Sequence, residues 1–326
     1  MAKTTIVMTP RERFGITRQS YESLRQHTSG DYELVIVDGG SPPAVRDFLK
    51  AEAAKTGFDL IRTDYYLTPN EARNLGLARA RGEFVVFSDN DVIYSDGWLQ
   101  AMLDCAQEAG ADIVAPVICI GRPVHTKLHI TGGDVSFVEE DGVRRLVEDH
   151  RNAYRYFADV QEQLQREPCD FAEFHCVLVR RALFERLGPL DEGMKTTYEH
   201  IDFCLAAREA GASIWFEPKS IVTYFSPPPV DASDVAFYVT RWNDAWSIAT
   251  MQHFMQKWRC VFDLEHRRRQ VIERRRRIAF AKTQPWLVRV LGWRRSRAIM
   301  DWRERRIVAK SQARRAAAAN VSAAAE

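Results

Sequence analysis

Short β-branched apolar runs alternate with helix-length stretches through the first 120 residues, and this alternation constrains the fold more than any other feature of the chain. The runs occupy residues 4–8, 33–37, 58–62, 84–87 and 113–117. Between them, apolar residues recur at helical spacing, for example over residues 44–55 and 70–79. Strands separated by helices of this length form parallel sheets with right-handed crossovers. The sequence therefore predicts an α/β fold with a mostly parallel central sheet.

The fourth run leads directly into a pair of acids, Asp89 and Asp91, separated by Asn90. Parallel α/β sheets bind ligands outside the carboxyl ends of their strands, which is where these acids fall. Two carboxylates at this spacing can share one hard divalent cation, Mg²⁺ or Mn²⁺, and such a cation neutralises a diphosphate. The alternative is an acidic turn, because Asp and Asn favour turns for backbone reasons.

Two common phosphate-binding motifs are missing. Neither Gly-x-Gly-x-x-Gly nor Gly-x-x-x-x-Gly-Lys-Ser/Thr occurs in the sequence. Dinucleotide oxidoreductases and P-loop NTPases depend on these loops, so both classes are disfavoured. Phosphate must be held in another way.

The middle of the chain changes character after residue 120. Residues 121–149 are irregular, with turn signals that indicate a hairpin or a flap. Strand character returns over residues 176–179, and helical stretches follow at 181–187 and from Tyr198 to Gly211. Residues 237–258 are rich in aromatic side chains and predict a helical element packed on the body.

Charge is distributed unevenly along the chain. From Gln256 onward there are 20 Lys and Arg against 6 Asp and Glu, whereas the preceding residues carry 26 against 38. The basic part contains the arginine runs Arg267 to Arg269 and Arg274 to Arg277, and over residues 286–297 further arginines alternate with apolar residues and tryptophans. This pattern suits an interfacial helix on an anionic membrane surface, with a solvated charged face as the alternative and nucleic acid disfavoured as a partner. Residues 316–326 are of low complexity and are predicted to be disordered.

Cysteine usage and hydropathy bear on the compartment. The six cysteines show no Cys-x-x-Cys pairing, so we expect free thiols, no disulfides and no zinc. No apolar run approaches the ~20 residues of a membrane span, and the start lacks the apolar core of a signal peptide. We expect a cytoplasmic protein, which the basic segment would place peripherally at the inner face of the membrane.

Several short motifs follow one another along the chain. They are IVMTP at 6–10, Asp38 after the second strand, EARNLGL at 71–77, ARGE at 80–83 before the Asp pair, LGPLDE at 187–192 and EHID at 199–202. Their order resembles that in the family 2 glycosyltransferases, which are inverting, nucleotide-sugar-dependent enzymes with the GT-A fold. The resemblance covers roughly residues 4–225.

The resemblance implies roles for particular residues. It implies nucleotide-sugar binding by the set Thr9, Pro10, Asp38, Arg73 and Asp89, and metal binding by Asp89 together with Asp91. A carboxylate can accept from a base or ribose, and a guanidinium can neutralise phosphate. The structural alternatives are that Asp38 caps its turn and that Arg73 is a solvated helix residue.

The chain departs from the family pattern at two positions. His200 stands where many members have a second acid, and Tyr224 stands where they have a metal-binding histidine. The base that activates the acceptor hydroxyl is therefore Glu199, His200 or Asp202. A neutral imidazole suits this task near pH 7, so we favour His200.

The sequence thus predicts a metal-dependent inverting glycosyltransferase of polysaccharide biosynthesis, acting on a glycan or lipid-linked acceptor. We expect a nucleotide-sugar-binding half at 1–120 and an acceptor-binding and catalytic half at 121–230. A helical, basic, membrane-associating extension at 231–315 and a disordered tail at 316–326 complete the chain. The rival functions are a sugar-phosphate nucleotidyltransferase and a catalytically inactive, basic-tailed binding module.

Overall fold

The computed structural model describes residues 3–225, 230–264 and 274–323. Its first part alternates strands and helices as the sequence predicts. The elements are β1 (Thr4–Thr9), α1 (Thr17–His27), β2 (Tyr32–Gly39), α2 (Pro43–Thr56), β3 (Asp59–Thr63), α3 (Pro69–Leu77) and β4 (Phe84–Asp89). The four strands are parallel and lie in the order β3-β2-β1-β4. Strands β1 and β4 are buried along their whole length and, apart from Asp89 at the end of β4, consist of apolar and small residues.

Helix α3 packs closely against β1, and this contact fixes the position of Arg73. The helix starts with Pro69, and Glu71 Oε2 accepts a hydrogen bond from the Thr68 N–H at 2.8 Å. A Cβ atom at Gly76 would lie 2.1 Å from Val7 Cγ1, so only glycine permits this approach. As a result the Arg73 side chain, one helical turn before Gly76, is buried.

The second part of the chain extends the sheet. Its elements are β5 (Val92–Tyr94), α4 (Trp98–Glu108), β6 (Ile113–Ile120), β7 (Leu128–Ile130), β8 (Gly133–Glu140), β9 (Val143–His150), β10 (Glu167–Pro168), β11 (Cys176–Arg180), α5 (Ala182–Leu187), α6 (Glu199–Glu209) and β12 (Ile214–Tyr224). Strand β11 runs antiparallel between β4 and β6, so the fifth predicted strand does not neighbour the fourth. Strand β12 lies parallel to β6. One ten-stranded sheet thus joins the two halves.

Strands β8 and β9 form a separate two-stranded hairpin, in the region for which the sequence predicts a hairpin or flap. Gly133 and His150 are paired at its base, so the end of the hairpin nearest the sheet carries a histidine. The hairpin thereby contributes a side chain to the site described below.

The C-terminal extension is helical, with α7 (Val235–Arg241), α8 (Asp244–Trp258), α9 (Arg274–Ala279) and α10 (Gln284–Ala323). The aromatic segment predicted as one helical element forms two helices, because Asn243 interrupts it and accepts a hydrogen bond from the Trp246 N–H at 2.9 Å. Helix α10 contains a non-helical residue, Gly292, with φ of 75°. The extension has its own apolar cluster, which includes Tyr238, Val239, Trp242, Ala279 and Phe280.

The tail from residue 316 differs from expectation. We predicted disorder, whereas helix α10 continues to Ala323. Alanine has the highest helix propensity of all residues, and no glycine or proline interrupts this stretch. The arginine run Arg267 to Arg269 lies outside the described residues. Within the described segments, no helix is both long enough and apolar enough to cross a membrane.

The predicted fold class is confirmed: an α/β protein with a large central sheet and a C-terminal helical region. The six cysteines, all of which lie in described segments, are buried free thiols.

Candidate functional site

The Asp pair lies at the carboxyl end of β4, and Asn90 holds it in place. The Asn90 amide donates to the Arg13 carbonyl at 2.8 Å and to Thr17 Oγ1 at 2.7 Å, and its oxygen accepts from the Arg11 N–H at 2.9 Å. The middle residue of the motif therefore fixes the loop. The carboxylates on either side are left for other partners.

Asp89 is tightly paired. His175 Nδ1 lies 2.9 Å from Asp89 Oδ2, and Arg73 Nη2 lies 3.3 Å from Asp89 Oδ1. Arg11 Nε is 3.5 Å from the same carboxylate. Burial by itself would raise the pKa of Asp89, but the hydrogen bond from His175 and the positive charges of Arg11 and Arg73 hold it below its usual range. Asp89 is thus ionised at neutral pH.

Asp91 is the opposite case, because it is fully buried and unpaired. Neither of its carboxylate oxygens has a hydrogen-bond partner among residues 3–225, 230–264 and 274–323. Burial, with the negative charges of Asp89 and Glu12 nearby, raises its pKa well above the usual range. A buried carboxylate without partners is costly, and a cation would satisfy it. Asp89, Asp91 and His175 each offer one ligand atom within 4.8 Å of the others.

The His175 side chain beside the Asp pair packs against Tyr224. The Tyr224 ring stacks on the His175 ring with centroids 3.8 Å apart. The Tyr224 hydroxyl donates to Glu12 Oε2 at 3.2 Å. An imidazole from the segment before β11 therefore lies against the residue that replaces the family's histidine at the end of β12.

Glu199 is held by three arginines. Arg241 Nη2 lies 3.0 Å, Arg11 Nη1 3.3 Å and Arg73 Nη1 4.0 Å from Glu199 Oε1. Burial would raise the pKa of Glu199, but these charges, Arg241 foremost, lower it. A carboxylate in this setting is a weak proton acceptor. It lies among three guanidinium groups beside the Asp pair.

Asp202 has a structural position. Its carboxylate accepts from Trp258 Nε1 at 2.8 Å and pairs with Lys257 Nζ at 2.8 Å. Both partners belong to α8, so Asp202 ties α6 to the C-terminal extension. Burial raises its pKa, although Lys257 and Trp258 oppose the shift.

His200 faces a pocket of about 480 Å³. Its Nε2 atom is buried and has no hydrogen-bond partner in the part of the chain that the structure describes. Burial lowers the pKa of His200 to about 4, so the imidazole is neutral at pH 7. Of the three predicted base candidates, His200 has a ring nitrogen without a partner among the described residues, although its lowered pKa makes it a weaker base than an ordinary histidine.

The pocket is built from both halves of the sheet and from the extension. It is lined by Arg11, Ile120, His129, Glu148, His150, Tyr154, Glu173, His175, Thr196, Thr197, Tyr198, Glu199, His200, Tyr224, Trp242, Ser247, Met251, Arg274, Arg275 and Ile278. The basic extension thus supplies two arginines to the pocket wall, and Arg275 also pairs with the buried Glu12. The predicted site residues that are not among the described residues lining it are Thr9, Pro10, Asp38, Arg73, Asp89, Asp91 and Asp202.

The predicted nucleoside residues lie elsewhere on the same strand ends. Thr9 is paired in register with Asp89, so it lies beside the Asp pair. Pro10 and Asp38 border a small cavity of about 10 Å³ next to β1 and β2. The Asp38 carboxylate accepts from the Ser41 N–H and hydroxyl, each at 2.8 Å, and pairs with Arg62. Its turn-capping role is therefore present in the structure.

Sequence reasoning did not identify several residues of the site. Arg11, Glu173, His175 and Arg241 come from three separate segments, and none belongs to the motifs used above. His175 comes immediately before the strand predicted at 176–179. This position indicates that His175 lies near Asp89 only when β11 is known to pair with β4.

Comparison with known proteins identifies the family. Residues 5–188, more than half of the chain, match the family described as "Glycosyl transferase family 2". The chain therefore belongs to glycosyl transferase family 2, which confirms the resemblance predicted from the motifs.

A relative and a solved structure are in keeping with this assignment. The chain is similar to the "Pre-mycofactocin glycosyltransferase" of Mycobacterium tuberculosis, with 26% identity over 222 residues, covering 68% of this chain and 42% of the relative. It thus spans less than half the length of that relative. In fold it is similar to the crystal structure of GalNAc-T7 with UDP, GalNAc and Mn²⁺, at TM-score 0.53 and 14% identity, covering 90% of this chain and 57% of the other. The fold is that of the GT-A glycosyltransferases.

Proposed function

We propose that the protein transfers a sugar, with inversion, from a nucleotide-diphosphate sugar to an acceptor hydroxyl, with a divalent cation at Asp89, Asp91 and His175. The observation that supports this most is the buried, unpartnered carboxylate of Asp91 beside Asp89 and His175. Oxygen-rich ligands favour Mg²⁺ or Mn²⁺. When bound, the cation supplies positive charge against the departing diphosphate.

The arginine cluster has the charge to bind the donor. Arg11, Arg73 and Arg241 converge on Glu199 and Asp89, and Arg11 also lines the pocket. Guanidinium groups bind phosphate oxygens through paired N–H donors. Glu199 keeps these arginines in position before the donor arrives, which limits the entropy lost on binding. Thr9, Pro10 and Asp38 provide the nucleoside end of the same site.

His200 acts as the proton acceptor for the acceptor hydroxyl. It is neutral, it faces the pocket, and its Nε2 atom has no partner among the described side chains. Proton removal makes the hydroxyl oxygen nucleophilic, and it attacks the anomeric carbon from the face opposite the diphosphate. Inversion at that carbon follows from this direction of attack.

The acceptor is a glycan or a lipid-linked glycan met at an anionic membrane surface. Helix α10 leaves Trp286, Trp293 and Trp302 more than half exposed, among numerous arginines. Exposed tryptophans insert at the headgroup level, while arginines attract anionic lipid. Met300, Ile307 and Val308 of the same helix pack against the apolar cluster of the extension, so the helix has one side bound to the protein and another available.

A donor screen followed by product analysis tests the function. A thermal-shift screen of nucleotide sugars with and without Mn²⁺ should identify the donor, because a ligand at a hundred times its Kd stabilises the folded state by about 2.7 kcal/mol. That donor should then yield a glycosylated acceptor and a nucleoside diphosphate. Release of pyrophosphate from a nucleoside triphosphate and a sugar phosphate would instead identify a nucleotidyltransferase.

A further inference from the structure

One exposed aromatic side chain belongs to the wall of the pocket. Tyr154 is 67% exposed and lines the pocket of about 480 Å³. The other tyrosine and tryptophan side chains lining it, Tyr198, Tyr224 and Trp242, are buried. A single exposed aromatic side chain is ordinary on a protein surface. This one differs because it borders a pocket and because its backbone is strained.

The backbone of Tyr154 lies in the left-handed region, with φ of 66°. Bulky residues rarely occupy this region, because their Cβ atom comes too close to the following carbonyl oxygen. Glycine would adopt the same conformation without strain. A tyrosine here therefore costs the free protein stability, and its exposed ring regains little of that cost by packing. Backbone strain of this kind is concentrated at sites that bind ligands.

Hydrogen bonds on both sides of Tyr154 hold the strained turn in place. The Tyr154 N–H donates to the Leu128 carbonyl at 2.9 Å, and the Leu128 N–H donates to the Arg155 carbonyl at 2.8 Å. Asn152, whose φ is 59°, donates from Nδ2 to Thr131 Oγ1 at 2.8 Å. The turn is thereby fixed to β7 and to the residue that follows it. The position of the ring is set before any ligand arrives, which limits the entropy lost on binding.

The surroundings of the ring suit a sugar. Lys127 Nζ lies over one face of the Tyr154 ring, 5.4 Å from its centroid, and the exposure of the residue leaves the opposite face accessible. Glu148 and His150, both on β9, line the same pocket. A pyranose ring has a face of C–H groups and a rim of hydroxyls. The aromatic face matches the former, and carboxylate, imidazole and ammonium groups match the latter.

We propose that the Tyr154 ring is a stacking platform for a pyranose residue of the acceptor, where it positions the glycan and takes no part in the chemistry. This assignment rests on the proposed transfer reaction in naming the bound sugar as the acceptor. Tyr154 follows the hairpin, in the segment for which the sequence predicts acceptor binding. A nucleobase also stacks on tyrosine, so the experiment has to separate the acceptor from the donor.

Saturation-transfer difference NMR on the full chain tests sugar binding without donor or reaction. The probes are the methyl glycosides of glucose, galactose, mannose and N-acetylglucosamine. At least one should receive saturation from wild type, most strongly on the C–H protons of one ring face, and should bind Tyr154→Ala about tenfold more weakly. Tyr154→Phe should bind like wild type, because it keeps the aromatic face. Tyr154→Gly should lose binding as Tyr154→Ala does, although glycine relieves the backbone strain.

A matched control lies two residues further on. Tyr156 is 64% exposed and does not belong to the described lining of the pocket, so Tyr156→Ala should leave sugar binding unchanged. In the transfer assay, Tyr154→Ala should raise the KM of the acceptor about tenfold and leave both kcat and the Kd of the donor nearly unchanged.

Three results would overturn the proposal. They are wild-type sugar binding by Tyr154→Ala, absence of binding of every probe to wild type, and a raised donor Kd in Tyr154→Ala with sugar binding unchanged. The last result would make Tyr154 a contact of the nucleoside. Sugar binding that depends on Tyr154, in a protein that transfers no sugar, would instead refute the proposed function and leave the sugar-binding site standing.

Discussion

Replacing Asp91 with asparagine should make the cation-free protein more stable and the cation-loaded protein less responsive. The Asp91 carboxylate is fully buried, and neither oxygen has a partner among the described residues. An unsatisfied buried polar group costs about 1–3 kcal/mol, and more when it is charged. The asparagine amide would be buried without partners as well and keeps this cost, but it has no acid to ionise. Because the pKa of Asp91 is raised well above its usual range, the folded wild type loses about 1.4 kcal/mol of stability at neutral pH for each unit of that rise. Asp91→Asn removes this loss and in chelator should gain about 1–3 kcal/mol. At about 2 °C per kcal/mol for a chain of this length, Tm should rise by about 2–6 °C.

Mn²⁺ should remove or reverse the difference in stability between the two proteins. At a hundred times its Kd the ion stabilises wild type by about 2.7 kcal/mol, whereas Asp91→Asn should gain little. Differential scanning fluorimetry in chelator and in Mn²⁺ measures both effects. Asp89→Asn is the matched control, because it leaves the buried Arg73 and His175 without their partner and should cost about 3–5 kcal/mol in either buffer. If Asp91→Asn lowered Tm in chelator as Asp89→Asn does, the carboxylate would have partners and the reasoning would be wrong.

Three further predictions follow from the site and the fold. His200→Ala should lower turnover by roughly 10²- to 10⁴-fold and leave the Kd of the donor unchanged. Glu199→Gln should mainly weaken donor binding, because it loosens three arginines. The opposite pattern would make Glu199 the base. The combined Trp286→Ala, Trp293→Ala and Trp302→Ala variant should lose sedimentation with anionic vesicles, while Tyr156→Ala, equally exposed but on the body, should keep it; equal sedimentation of the two would remove the membrane role. Gly76→Ala should cost about 1–3 kcal/mol in urea unfolding because its Cβ would meet Val7, and an unchanged midpoint would show that α3 can shift.

The nucleotide half could be predicted from sequence because its signals are local. Each strand of this half is a contiguous apolar run, and Asp89 and Asp91 directly follow one of them. Parallel strands also align their carboxyl ends, so the predicted site residues on β1, β2 and β4 had to share one edge of the sheet. Register, burial and pairing confirm that expectation for Thr9 and Asp89.

The rest of the site depends on contacts that no local pattern encodes. His175 reaches Asp89 because β11 inserts antiparallel beside β4, and the sequence of β11 does not specify that neighbour. Arg241 and Arg275 arrive from helices that the sequence associated with packing and with the membrane. Their folding back onto the pocket is a tertiary arrangement, and it places Arg241 against Glu199. Asp202 is likewise paired with Lys257 and Trp258 of α8.

Calorimetric titration of the donor tests the central claim most directly, namely that Asp89, Asp91 and His175 hold a cation that donor binding requires. The donor identified in the screen is titrated into the full chain in Mn²⁺ and again in chelator, and then into Asp91→Asn and His175→Ala in Mn²⁺. Binding should be strong for wild type in Mn²⁺ and should be lost in the other three titrations. Equal donor affinity for wild type in chelator and in Mn²⁺, or unchanged affinity in Asp91→Asn, would contradict the account.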